Sequence, residues 1–289
     1  MSDCVGVIGV GNMGAAMAAR LRERGFDVVV RDVRPEAEQP LLDLGARRAS
    51  SAAEIARASA AILVVVVDAK QIDDVLSGDN GLLMALRPEH LVLIQSTIAP
   101  ADAARFAAAV RARGALALDA PISGGPVRAR AGELSMMVAG SESAFDRAQP
   151  LFAALATRVF NVGSEPGLGA TMKLVNNLLA GVYLAAGAEA FAIGRAAGLG
   201  AQTMAEVFGA SSGQSWILTD RLARLLAGDQ RPHAQMQILA KDVRLAVDLA
   251  NSVGKTTRLG ADTCALFAAA LAAGLTDADD SALISWAAS

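Results

Sequence analysis

Six residues near the start of this 289-residue chain, Gly9-Val10-Gly11-Asn12-Met13-Gly14, constrain its fold more than any others. They follow an apolar run, Cys4 to Ile8, that reads as a strand, and open a segment, Asn12 to Arg24, whose apolar residues recur at helical spacing. Gly9 permits a tight turn, Gly11 lets a pyrophosphate approach the backbone, and Gly14 lets helix and strand pack closely. The helix start then offers its N–H groups to phosphate. Alone, the pattern is equally a glycine-rich turn; the strand before it and the helix after it favour a dinucleotide loop.

The rest of the first half keeps this rhythm. Val28 to Val30, Ile62 to Val67, Leu91 to Ile94, Ala115 to Leu118, Leu134 to Ala139 and Arg158 to Asn161 read as further strands. Helical patterns at Ala101 to Arg113 and Ala144 to Leu155 alternate with them. Strands alternating with helices imply a parallel sheet covered on both faces. After the punctuation Gly163-Ser164-Glu165-Pro166-Gly167 the pattern turns wholly helical, which divides the chain into residues 1–163 and 164–289. From Gly169 to Ala197 one long helix carries only Lys173, Glu189 and Arg195 as charges. A helix apolar nearly all round is buried on several sides, so it is expected to form the spine of the second domain and to meet a second subunit.

Composition removes some partners. The net charge is −3, which gives no reason to expect nucleic acid or an anionic membrane. The hydrophobic fraction is 53%, but the charge-free run after Lys173, Leu174 to Ala188, is short of the roughly 20 apolar residues of a spanning helix and contains Asn176 and Asn177. Cys4 and Cys264 form no metal spacing or disulfide framework, and His90 and His233 form no ligand cluster, so no metal site is expected. Met1-Ser2-Asp3 lacks the basic start of a signal peptide. A cytoplasmic setting is the economical expectation.

Several other segments bear on chemistry. Asp32 ends the second strand at the offset where a carboxylate accepts hydrogen bonds from the adenosine ribose and repels a 2′-phosphate, favouring NAD over NADP. Arg31 and Arg34 are the counter-evidence, since either could pair with a phosphate. Val66-Val67-Asp68 and Gln95-Ser96-Thr97 follow strands at the ligand-collecting carboxyl edge of the sheet. In Asp119-Ala120-Pro121-Ile122-Ser123-Gly124-Gly125-Pro126, two glycines behind a serine make a nest suited to a carboxylate, or simply a turn. Lys173 sits inside an apolar helix, where burial should lower its pKa toward the range useful for proton transfer, and Asn177 shares its face one turn on. Lys241-Asp242 reads, in isolation, as a solvated helix face.

In order and spacing, the Gly9 to Gly14 loop, the Asp119 to Gly125 segment, the Gly169 to Asn177 helix and the Lys241-Asp242 pair resemble the β-hydroxyacid dehydrogenases, a family that includes 3-hydroxyisobutyrate dehydrogenase and tartronate semialdehyde reductase. The resemblance covers essentially the whole chain. It implies an α/β Rossmann-type doubly wound sheet followed by an all-α domain on a long central helix. It implies Lys173 as general acid/base with Asn177 as its partner, and Ser123, Gly124, Gly125 and Asn176 as substrate ligands. Gly9, Val10, Gly11, Asn12, Met13, Gly14, Arg31, Asp32, Val66, Val67, Thr97 and Lys241 fall on cofactor positions. Val66-Val67 replaces the usual leucine-proline pair, and Arg31-Asp32-Val33 departs from the Asn-Arg-Thr of NADP-preferring relatives. Gln214-Ser215-Trp216, Leu226-Ala227-Gly228-Asp229 and Asp279-Asp280-Ser281-Ala282 are similar to the L-threonate dehydrogenase branch.

The expectation is therefore an NAD-dependent oxidoreductase, with NADP possible, acting on a small hydroxy acid as a homodimer or homotetramer. The competing readings are an imine reductase on the same architecture, whose members usually place Asp or Tyr where Lys173 stands, a non-catalytic dinucleotide-binding protein, and a helical scaffold.

Overall fold

A computed structural model describes residues 4–229 and 231–288; the Met1-Ser2-Asp3 start lies outside the described residues. The chain forms two compact units, which divide between Lys173 and Leu174.

The first unit is a nine-stranded sheet. Its strands are β1 (Cys4–Ile8), β2 (Asp27–Arg31), β3 (Arg47–Arg48), β4 (Ala61–Val64), β5 (Leu91–Ile94), β6 (Leu116–Asp119), β7 (Ile122–Ser123), β8 (Leu134–Gly140) and β9 (Ala156–Gly163). They lie in the order β3-β2-β1-β4-β5-β6-β8-β7, with β9 on β8. The helices are α1 (Asn12–Glu23), α2 (Pro35–Asp43), α3 (Ala52–Ala58), α4 (Ala69–Ser77), α5 (Pro100–Arg111), α6 (Gly125–Ala131) and α7 (Glu142–Leu155).

The central strands are apolar throughout because both faces are covered. Val5, Val7, Leu63, Leu91 and Leu93 join one core cluster with Met17 and Leu21 of α1 and Phe152 of α7. Their alternates Cys4, Ile8, Ile62, Val64, Val92 and Ile94 join a second, with Ile72 of α4 and Phe106 of α5. The strand order reverses between β1 and β4, and the Gly9–Gly14 loop stands at that reversal, where open sheets bind ligands.

Two strand readings change. The apolar run from Ile62 stops being a strand at Val64 rather than Val67. Asp68 caps α4 by accepting the Gln71 N–H, and Gln71 in turn accepts the Val67 N–H, so Val65 to Val67 become a loop. The sheet is also not wholly parallel, because β8 runs antiparallel to β6 and β7. After β6 the chain continues through β7 along the same edge of β8, then turns at α6 and comes back.

The second unit is helical, with no strand among the described residues beyond an isolated bridge between Gln235 and Asp279. It comprises most of α8 (Leu168–Ala196), with α9 (Ala201–Ala210), α10 (Trp216–Leu226), α11 (Met236–Ser252), α12 (Arg258–Ala270) and α13 (Ala282–Ala287). Leu184, Ala188 and Phe191 of α8 pack with Leu218, Leu222, Leu239, Val243, Phe267 and Leu283. Below this core, Arg221 pairs with both oxygens of buried Asp280, and Arg224 with Asp279, whose carboxylate also accepts the Ala234 N–H just ahead of α11.

The expectation that α8 is buried on several sides holds for one side only. Leu168, Met172, Val175, Leu179, Tyr183 and Ile193 form an apolar stripe that is exposed in the single chain. By length and composition α8 and the segment Arg258–Leu275 are each long and apolar enough to cross a membrane, so run length alone does not exclude that reading. The other side of α8 packs as the core helix of the second unit.

Candidate active site

The glycine-rich loop has the shape a dinucleotide needs. Gly9 has φ +86°, and a Cβ there would lie 2.3 Å from the Val65 carbonyl oxygen; one on Gly14 would lie 1.9 Å from the Gly9 carbonyl oxygen. Gly11 differs: its Cβ would meet nothing nearer than Arg34 Nη2 at 3.8 Å, so this glycine faces open space at the start of α1. A pyrophosphate fits that position, over the first N–H groups of a helix with no side-chain cap. Met13 packs partly buried against the core.

Asp32 is buried at the end of β2 and braces this loop. Its Oδ2 accepts the Val10 N–H at 2.8 Å and its Oδ1 the Arg34 N–H at 2.9 Å. Arg31 donates to the Asp32 carbonyl oxygen. Across the reversal, the Val66 N–H donates to Ser96 Oγ at 3.1 Å, which ties the Val66-Val67 loop to the segment bearing Thr97. The structure thus brings the Gly9–Gly14 loop, Asp32, Val66, Val67 and Thr97 to the carboxyl edge of one sheet.

Ser123 ends β7, paired with Ser135. Gly124 and Gly125 follow with φ +137° and +73°, conformations that L side chains rarely adopt, and Pro126 begins the turn into α6. Four residues before Ser123 stands Asp119, which opens the same segment. Its buried Oδ2 accepts the N–H groups of Gly167 at 2.8 Å and Ala170 at 2.9 Å, capping α8 from another part of the chain. Gly169 permits this approach, since a Cβ there would lie 2.6 Å from the Asp119 carbonyl oxygen. Burial pushes the Asp119 carboxyl above its usual range, against the pull of these backbone N–H groups.

Three residues beyond Ala170, α8 presents Lys173, which is 8% exposed, and one turn later Asn177, also 8% exposed. The Asn177 side-chain amide donates to Asp242 Oδ2 at 2.7 Å, and its Oδ1 accepts from the Asn176 amide at 3.2 Å. Lys241 Nζ lies 2.8 Å from Asp242 Oδ1. Asp242 is therefore no solvated residue: it is 3% exposed and fixes which way the Asn177 amide points. A signal was present in the sequence, because Leu239, Asp242, Val243 and Ala246 form the buried stripe of α11, and a carboxylate on a core stripe needs a partner. The histidines stand elsewhere; His90 Nδ1 accepts the Arg87 N–H, and His233 pairs with Asp229.

Comparison with known proteins finds relatives along nearly the whole chain. Residues 4–163 match the model described as the NAD binding domain of 6-phosphogluconate dehydrogenase. Residues 167–287 match the one described as NAD-binding of NADP-dependent 3-hydroxyisobutyrate dehydrogenase. The chain is 40% identical over 281 residues to an L-threonate dehydrogenase of Escherichia coli O6:H1, covering 97% of this chain and 93% of that one. It is 34% identical to an NAD-dependent L-serine dehydrogenase of Pseudomonas aeruginosa, covering 95% and 94%. The crystal structure of a 3-hydroxyisobutyrate dehydrogenase from Salmonella typhimurium superposes with a TM-score of 0.90 at 37% identity, covering 98% and 99%. An imine reductase from a Pseudomonas species, at 22% identity and TM-score 0.67, shares the fold alone.

Proposed function

The chain belongs to the β-hydroxyacid dehydrogenases of the 3-hydroxyisobutyrate dehydrogenase type, and from that premise we propose that Lys173 is its general acid/base. The protein is an NAD(P)-dependent oxidoreductase acting on the CH–OH group of hydroxy acids, which sets aside the imine reductase reading. Bound NAD(P) supplies the acceptor or donor of hydride. The chain supplies the proton traffic and the positioning. In oxidation neutral Lys173 takes the hydroxyl proton; in reduction its ammonium returns the proton and stabilises the developing alkoxide. Asn177, oriented by Asp242, holds the substrate oxygen. Ser123, Gly124, Gly125 and Asn176 hold the substrate carboxylate, which places the reacting carbon.

Gly9, Val10, Gly11, Asn12, Met13 and Gly14 cradle the pyrophosphate. Arg31 and Asp32 face the adenosine ribose, and Val66, Val67, Thr97 and Lys241 line the path to the nicotinamide. Asp32 favours NAD over NADP. Residues 1–163 form the cofactor domain and 164–289 the substrate and dimerisation domain. The exposed stripe of α8, which has no charge from Leu174 to Ala188, takes a second copy of this chain. L-Threonate or a similar small polyhydroxy acid is the substrate, on the strength of the relatives that match at 36–40% identity.

One observation carries the catalytic assignment: a buried lysine one turn before an asparagine whose amide a buried carboxylate has already turned. The test is NADH formation at 340 nm over L-threonate, 3-hydroxyisobutyrate, glycerate, 3-hydroxypropionate and L-serine, with NADP in parallel. A strong NAD-dependent signal with L-threonate is expected. Turnover of another acid alone would overturn the substrate, and equal turnover with NADP would overturn the role given to Asp32.

A further inference from the structure

One buried carboxylate at the adenosine end has no role so far. Glu38, on α2, is 1% exposed. Its Oε1 accepts the backbone N–H of Asp32 at 2.7 Å and lies 3.5 Å from Arg31 Nη1. Its Oε2 accepts from Arg48 Nε, at the end of β3, and Arg48 also donates to the Pro35 carbonyl oxygen at 3.2 Å. A buried carboxylate is costly unless paired, and here one N–H and two guanidinium groups satisfy it.

The charges around Asp32 show what this pairing does. NADP differs from NAD by a 2′-phosphate, which carries roughly two negative charges and is recognised best by an arginine fork. Two arginines touch Asp32, Arg31 and Arg34, and a third, Arg48, reaches Glu38, which itself accepts the Asp32 N–H. Arg34 is exposed and stands between Gly11 and Asp32, with Nη2 3.8 Å from where a Gly11 Cβ would lie and Nε 3.5 Å from Asp32 Oδ1, and it makes no contact with Glu38 that would withhold it from either cofactor. Arg31 and Arg48 differ from it in that both are drawn to Glu38.

We propose that Glu38 is a specificity-determining positioning residue: it withholds Arg31 and Arg48 from a 2′-phosphate and fixes the backbone of Asp32, so that the ribose meets a carboxylate. This rests on the reading of Gly9–Gly14 and Asp32 as the dinucleotide site. A merely structural Glu38 would affect both cofactors alike. A specificity residue changes their ratio.

The experiment is direct binding of NADH and NADPH, followed by fluorescence of the reduced nicotinamide, with thermal unfolding to verify folding. Wild type binds NADH more tightly. Glu38→Gln shifts the ratio of the two dissociation constants toward NADPH by about tenfold or more, equivalent to about 1.4 kcal/mol. If Glu38→Gln does not fold, Glu38→Met/Arg48→Met removes both charges of the pair together and still frees Arg31, so NADPH gains again. A folded variant whose ratio stays at the wild-type value, or that loses both cofactors equally, overturns the proposal. A wild type that binds neither cofactor overturns the dinucleotide site itself.

Discussion

Lys173→Ala removes the proposed proton donor and leaves the Gly9–Gly14 loop untouched. Turnover should fall about 10²- to 10⁴-fold while NADH affinity is retained, and unchanged turnover would refute the assignment. Asp242→Asn acts one step further out. It lets the Asn177 amide turn, so kcat should fall roughly ten- to a hundredfold, with NADH binding by fluorescence as the control. Asp119 makes a prediction about pH. Its carboxyl is raised by burial, so its stabilising contribution is greatest at acid pH and is lost as pH rises through the folded-state pKa. The stability of wild type minus that of Asp119→Asn, from urea unfolding, should therefore be larger near pH 4 than at pH 7; the opposite trend would refute it. At this scale the sequence was legible where a polar residue broke an apolar run, as Lys173 and Asn177 do. It was illegible at Glu38 and Asp119, whose burial depends on partners 6 and 51 positions away, while at Asp242 the apolar stripe of α11 signalled burial but not the partner, Asn177, 65 positions away.

At the scale of elements, the runs of Cys4–Ile8 and Leu91–Ile94 were readable because strands covered on both faces are apolar at every position. β3 is two arginines and β7 is two residues beside glycines, and neither has a pattern of its own to read. They exist because β2 and β8 offer them an edge. The antiparallel return of β8 was likewise invisible, being fixed by pairing rather than by periodicity. The start of α8 depends on close backbone contact with β6 and β8, at Asp119 and Met137. Gly169→Ala should cost about 1–3 kcal/mol in urea unfolding, because backbone atoms must move to admit one methyl group. Stability equal to wild type would show that the contact is loose.

At the scale of the molecule, the exposed stripe of α8 predicts association. Light scattering should give a mass that is a multiple of 29.5 kDa, and Leu179→Glu/Tyr183→Glu should reduce it to that of one chain. A stable monomer at micromolar wild-type concentration would remove the subunit interface from the reading. The helical unit was legible as helical, but the open side of its spine was not, since a periodic apolar pattern records burial without saying which chain provides the cover. The fastening of α8 by Asp119 has a wider meaning. A single side chain fixes the origin of two rulers, one running four residues to Ser123 and the other three residues from Ala170 to Lys173. The proposed grip on the acid group, Ser123, and the proposed proton donor, Lys173, thus share one datum inside residues 4–173. The stretch of chain from the one to the other therefore lies wholly within the unit that carries the glycine-rich loop.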